Sequence, residues 1–233
     1  LVNKADPSYV IPAPPTVAVR VIEGGAFPVR RVFCIGRNYA DHVVEMGGRV
    51  DRNPPTFFTK PADAVICEPT RIAYAMGTDN LHYEVEWVVA LFAGGAQLDS
   101  EAAGALVGAS GVGLDLTRRD LQSAAKKAGD PWDASKAFDA SAPLSALRRG
   151  GLDTVDLSST LSLHVNGQLR QSSTLEHLIW RVPELLSHLS QLFELKAGDL
   201  VFTGTPAGVG PLQREDRVRA KLEGVASLDF EMV

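Results

Sequence analysis

Two glutamates, Glu84 and Glu86, stand two positions apart in HYEVEWVVALF, inside an otherwise apolar, β-forming run. On a strand, residues i and i+2 share a face and lie roughly 6.5–7 Å apart. Two carboxylates on one face of an apolar strand repel each other and are costly to bury. A divalent cation removes that cost, and oxygen ligands suit Mg2+ or Mn2+, with water completing an octahedral shell. A solvated edge strand explains the pair equally well. Asp115 bears on the choice, because it lies in VGASGVGLDLT, an apolar, glycine-rich run where an isolated aspartate needs a partner. A helix cap or an arginine contact would satisfy Asp115 alone. A metal accounts for Glu84, Glu86 and Asp115 together.

His42 and Glu45 are three apart in a segment, residues 39–46, that reads as a short helix. That spacing puts both on one helical face. A carboxylate partner fixes the imidazole tautomer and keeps the other ring nitrogen basic. An exposed helix pair is the plain alternative. Lys136, in DASKAFD, is either a source of positive charge for an oxyanion or an ordinary surface lysine. The loop GTPAGVG, residues 204–210, has neither the GxxxxGK[ST] nor the GxGxxG order of a nucleotide site. It reads as a structural turn, or as a tight loop presenting the Thr205 hydroxyl and backbone N–H groups to an anion. GxSxG, HExxH and CxxC are absent, so water is a better candidate nucleophile than any serine or cysteine.

The elements that must position these residues are mostly strands. A strand at 31–35 is broken by Gly36, and Asn38 is placed to cap the helix that follows, which should end near Gly47-Gly48. Residues 49–55 read as a mobile loop, and 46–55 as a lid hinged at the two glycines. Strands are expected at 57–59, 81–92 and 107–116, then a helix over 118–127. Asn166-Gly167, between 160–165 and 168–172, is the strongest hairpin signal in the chain. Helical spacing runs through 175–193, with Pro183 starting a second helix or kinking the first. Short strands follow at 200–203, 217–222 and 226–232. Strands outnumber helices without regular alternation, which predicts a β-rich α+β fold. Prolines at 7, 12, 14 and 15 predict that residues 1–28 form an extended arm ahead of a single catalytic domain, 29–233.

The chain has 233 residues, 45% of them hydrophobic, and a formal net charge of −5. That supports one substantial core and argues against a nucleic-acid partner. No run of about 20 apolar residues is present, so no membrane span is expected. The first residues, LVNKADPSY, do not read as a signal peptide. Cys34 and Cys67 sit in the apolar settings VFCIG and VICEP, which fits buried thiols in a reducing compartment, the cytoplasm.

Together these segments resemble the fumarylacetoacetate hydrolase family. CIGRNYADHVVEMG, PTFFTKPADAV, LHYEVEWVV, GLDLTRRDLQ, KAFDASAPL, LHVNGQLRQ and KAGDLVFTGTPAGVGPL carry the likeness, in that order, from about residue 30 to the end. The resemblance implies a mixed β-sheet roll, a homodimer, and Mg2+ or Mn2+ on Glu84, Glu86 and Asp115. It implies that His42 and Glu45 activate water and that Lys136 stabilises developing charge. Arg119, Gln122 and Thr205 fall near the substrate, and Lys60, in FFTKP, matches a family lysine that is grouped with them as substrate-binding, its exact role open. The separate N-terminal domain of the eponymous enzyme is missing, so water should replace any metal ligand supplied from outside the shared core.

Within the family the chain looks closest to fumarylpyruvate hydrolases of the gentisate route of aromatic degradation and to bacterial acylpyruvases. The implied reaction is hydrolysis of a 2,4-dioxo acid, fumarylpyruvate plus water giving fumarate and pyruvate. Arg37, which follows Gly36 ahead of the His42 helix, is then a candidate with Arg119 for the far carboxylate, since a guanidinium matches it with two donors. A salt bridge elsewhere is the alternative for Arg37. Oxaloacetate tautomerase or decarboxylase activity, a non-catalytic ligand-binding role on the same fold, and ester hydrolysis are the competing readings.

Overall fold

The structure, a computed structural model, describes residues 9–50 and 52–233. It is β-rich, with few and short helices. An eight-stranded mixed sheet runs in the order Thr56–Lys60, Arg31–Gly36, Asp199–Phe202, Val85–Leu91, Val107–Leu114, Ala142–Leu144, Val65–Cys67, with Arg148–Arg149 also paired to Val107–Leu114. A five-stranded sheet runs Gln168–Thr174, Thr160–Val165, Arg217–Leu222, Ala226–Met232, Arg71–Ile72. Its first hairpin turns at Asn166 and Gly167, with φ 53° and 78°. Both lie in the left-handed region that a two-residue hairpin turn requires.

The two sheets curl around one core. Val85, Trp87, Val89 and Leu91 point into it from the large sheet, and Val218, Ala220, Leu222 and Phe230 from the small one. Leu185, Leu186 and Leu189 of the helix Val182–Leu192 close it. Pro183 lies in the first turn of that helix, where its missing N–H costs nothing. The residues of alternate parity, Val88 and Ala90, face a second core with Leu200 and Phe202.

Part of the segment expected as an extended arm is folded. Ala18–Arg20 and Ala26–Pro28 pair antiparallel, and Val19, Val21 and Phe27 fill the second core. Residues 1–8 of that arm lie outside the described residues. No described helix is long and apolar enough to cross a membrane.

Candidate metal centre and active site

The three carboxylates meet where one pair of strands changes sheets. Leu81–Tyr83 belongs to a three-stranded sheet with Thr117–Arg118 and Gly210–Pro211, whereas Val85–Leu91 belongs to the large sheet. Glu84 is the joint between them. Asp115 is the matching joint on the neighbouring run of strand, between Val107–Leu114 and Thr117–Arg118. The ladder sets Val85 opposite Leu114 and Glu86 opposite Gly113, and the Asp115 N–H donates to the Glu84 carbonyl at 2.9 Å. Residues directly opposed in an antiparallel pair point to one side. Glu84, Glu86 and Asp115 therefore share a face, and an oxygen of each lies within 4.8 Å of the others. A single strand over 81–92 was expected. The break at Glu84 leaves the shared face intact.

All three are buried, and three cations answer them. Lys136 Nζ donates to Glu84 Oε2 at 2.8 Å, Asp115 Oδ2 at 2.5 Å and Thr117 Oγ1 at 2.6 Å. Arg119 pairs with Glu84, and Lys60 Nζ lies 2.9 Å from Asp115 Oδ1. Burial alone would raise the Glu84 carboxyl, but Lys136 and Arg119 outweigh it and hold the group below the usual range. Burial would likewise lower Lys136, and Asp115 and Glu84 instead hold its ammonium above the ordinary lysine value. Among the described residues Glu86 forms no ion pair. Burial, then Asp115 and Glu84, push its carboxyl well up, against the single N–H of Gly204 at 2.7 Å.

These residues fit a divalent cation. Asp115 Oδ1 is a buried carboxylate oxygen that accepts no hydrogen bond; the Lys60 ammonium beside it directs two of its three N–H groups to the carbonyls of Leu116 and Lys136. Buried polar atoms without partners are rare and call for an explanation. A carboxylate pushed toward its neutral form and a carboxylate oxygen that accepts no hydrogen bond, both within one triad of hard oxygen donors, suit a site for an added cation.

The triad floors a cavity of about 120 Å³ whose lining includes Arg37, His42, Glu84, Glu86, Asp115, Arg119, Gln122, Lys136 and Thr205. His42 projects from the helix Ala40–Glu45, and its Nδ1 lies 3.1 Å from Glu45 Oε2. Glu45 stands behind His42, and its other oxygen accepts from the Gly208 N–H at 2.9 Å. The 204–210 loop thus does present N–H groups to anions, and those anions are Glu86 and Glu45. Thr205 Oγ1 accepts from Gln171 Nε2 at 2.8 Å.

Two expectations change, for Lys60 and Asn38. Lys60 does not line the cavity; it is buried beneath Asp115 as a counter-ion. Lys136 lines it, with its three donors engaged by Glu84, Asp115 and Thr117. Asn38 does not cap the helix. Its Nδ2 donates to the carbonyls of Trp180 at 3.1 Å and Thr203 at 2.8 Å, and its Oδ1 accepts from the Trp180 N–H at 2.8 Å. Gly204 is needed beside it, since a Cβ there would sit 2.7 Å from Asn38 Cβ. In the loop expected as a lid, Asp51 lies outside the described residues, and Arg52 donates to Glu184 Oε1 at 2.8 Å.

Some lining residues escaped the sequence reading. Lys126 and Trp132 complete the wall. Lys126 carried a signal, because 119, 122 and 126 share one helical face. Behind the wall, His82 contacts Arg119, and nothing in the sequence pointed to it: its Nε2 meets Asn80 Oδ1 at 2.9 Å and its Nδ1 accepts from Arg119 Nε at 3.3 Å. Burial, then Arg119, push His82 down to about 4, which keeps it neutral.

Comparison with known proteins identifies the chain's relatives. The sequence profile of the fumarylacetoacetate (FAA) hydrolase C-terminal family matches residues 31–233. The chain is 42% identical over 199 residues to oxaloacetate tautomerase YcgM of Escherichia coli (strain K12), covering 85% of this chain and 90% of that protein. It is 37% identical over 203 residues to the mitochondrial oxaloacetate tautomerase FAHD1 of Homo sapiens, covering 87% and 91%. The crystal structure of fumarylpyruvate hydrolase from Pseudomonas aeruginosa in complex with Mn2+ and pyruvate superposes with a TM-score of 0.94 at 43% identity, covering 97% of this chain and 99% of that one.

Proposed function

The chain belongs to the fumarylacetoacetate hydrolase family, and from that membership we propose that it hydrolyses the C3–C4 bond of a 2,4-dioxo acid, with fumarylpyruvate as substrate and fumarate and pyruvate as products. The observation that carries this reading is His42, backed by Glu45, on the wall of the cavity that the carboxylates floor. Hydrolysis needs a base near C4, apart from the groups that hold C1 and C2.

Glu84, Glu86 and Asp115 would hold Mg2+ or Mn2+. Bound there, the cation supplies an anchor for the 2-oxo acid end and a sink for the negative charge left on the departing fragment. Glu45 engages His42 Nδ1, so Nε2 is free to take a proton from a water directed at C4. Glu45 balances the imidazolium that results, and the Gly208 N–H keeps it from turning away. The oxyanion at C4 needs donors. The Thr205 hydroxyl accepts from Gln171, and its own hydrogen is uncommitted among the described residues. Lys136 can serve only by exchanging one of its present acceptors, which a cation on Glu84 and Asp115 would release. Arg119 and Gln122, joined at 2.6 Å, form a preset polar wall. When the C3–C4 bond breaks, the former water oxygen stays on C4 as fumarate, and the imidazolium returns its proton to C3 to give pyruvate.

A second reading, oxaloacetate tautomerisation, is supported by the identity to YcgM. It uses the same anchoring groups and no attacking water. Purified protein with Mg2+ or Mn2+ should be given fumarylpyruvate, acetylpyruvate and oxaloacetate, with cleavage products and enol–keto change followed separately. Fumarate and pyruvate in equal amounts support the hydrolase. Enol–keto change without cleavage replaces it with the tautomerase, and metal binding without turnover leaves a ligand-binding protein. A homodimer in the cytoplasm belongs to the same proposal, and light scattering tests the dimer.

A further inference from the structure

Two of the cations on the cavity wall have no counter-ion. Arg119 is paired with Glu84, but among the described residues neither Arg37 nor Lys126 forms an ion pair. Lys126 follows Gln122 by one turn and Arg119 by two on the helix Arg119–Ala128, so its side chain lies on the face that already serves the site. Its ammonium sits 5.1 Å from the centroid of the Trp132 ring, another wall of the same cavity. Burial, then Arg119, with a further contribution from Arg37, push the Lys126 ammonium down.

Arg37 is exposed and holds a left-handed backbone, φ 61°. The next residue explains how this conformation persists. Asn38 is buried and tied at three points to residues 180 and 203, while Tyr39 bridges to Leu178. The chain is pinned immediately after Arg37, and the arginine is swung onto the cavity wall. Backbone held in a sparsely populated region by its surroundings is a mark of functional sites. Like charges converging without an anion are unfavourable, and an anion between them relieves both.

We propose that Arg37 and Lys126 form a clamp at the cavity rim for a second carboxylate, so that the site selects dicarboxylic 2-oxo acids over monocarboxylic ones of equal length. The proposal rests on reading the floor of the cavity as the 2-oxo acid anchor. The guanidinium would take the carboxylate with two donors and the lysine as a point charge, steadied by Trp132.

The test is equilibrium binding to the Mg2+-loaded protein of two probes matched in length, 2-oxoglutarate and 2-oxovalerate. Wild-type protein should bind 2-oxoglutarate about 10-fold or more tightly than 2-oxovalerate, the scale expected of hydrogen bonds to charged groups. Arg37→Met and Lys126→Met should each remove most of that preference and leave 2-oxovalerate binding within about 2-fold. Lys126→Arg should retain it, which separates lost charge from lost packing, and thermal unfolding of each variant controls for folding. Equal binding of the two probes by wild-type protein, or a preference intact in both Met variants, overturns the clamp. Magnesium-dependent binding of 2-oxovalerate in that case leaves the 2-oxo acid reading standing. Absence of binding by either probe overturns both.

Discussion

Glu86 is the least satisfied of the three carboxylates, since Glu84 and Asp115 have cationic neighbours and Glu86 has one backbone N–H. Its raised carboxyl means that the metal-free protein keeps a proton there at pH values where a free carboxyl has lost it. A cation must displace that proton, so apparent metal affinity should rise with pH, and calorimetry in buffers of different ionisation enthalpy should register proton release. Affinity independent of pH, with no proton released, would contradict this. The sign for stability is opposite: a raised carboxyl favours the folded metal-free state at low pH, and that contribution fades as pH climbs through the raised value. Glu86→Gln should weaken metal binding and turnover together. His42→Ala should separate them, keeping metal affinity near normal while hydrolysis falls roughly 100-fold or more; near-normal cleavage would move the base elsewhere. At this scale the sequence was informative where spacing translates into a shared face, as for Glu84 with Glu86 and His42 with Glu45. Depth was not legible. FFTKP does not reveal that Lys60 lies under Asp115 and off the cavity wall, because that is fixed by chain remote from it.

Elements were legible where a local rule dictates them. Asn166-Gly167 can hardly be anything but a tight turn, and the alternation in 217–222 and 226–232 marks strands with one buried face. The break at Glu84 has no local cause. It follows from Gly210–Pro211 and Thr117–Arg118 both pairing with Leu81–Tyr83 and drawing that piece into a separate sheet. Asn38 shows the same limit from the other direction. Position and residue type predict a helix cap, yet the side chain bonds to backbone at 180 and 203 instead. Asn38→Ala would leave a backbone N–H and two carbonyls short of partners and should destabilise the protein by about 2–4 kcal/mol. It should also loosen the helix that carries His42. Denaturant unfolding measures the first effect, and kcat on fumarylpyruvate the second. An unchanged unfolding midpoint would mean that this cross-link does not hold the helix.

At the scale of the molecule, the site lies at a junction of sheets that sequence order does not announce. Asp199–Phe202 pairs in parallel with Arg31–Gly36, far away along the chain, and so brings the 204–210 loop beside the carboxylates. A cation at that junction bridges the two strands that carry Glu84, Glu86 and Asp115. Ligand binding to the folded state alone should therefore show as global stabilisation, about 2.7 kcal/mol at 100 times the dissociation constant. Titrating Mg2+ or Mn2+ into chelator-treated protein should raise the thermal midpoint, chelator should reverse the rise, and Glu86→Gln should blunt it. A midpoint indifferent to either ion would argue that the triad holds no metal.

The left-handed backbone at Arg37 places two kinds of fitness in opposition. Glycine adopts that conformation without a Cβ penalty, though it gives the unfolded chain more freedom. Arg37→Gly should therefore leave folding stability within about 1 kcal/mol of the parent, or improve it. A library screened for survival on heating would accept glycine at position 37. The same library screened for discrimination between one and two carboxylates would discard it, so a heat-selected variant of this protein would be the first place to look for an enzyme with relaxed substrate choice.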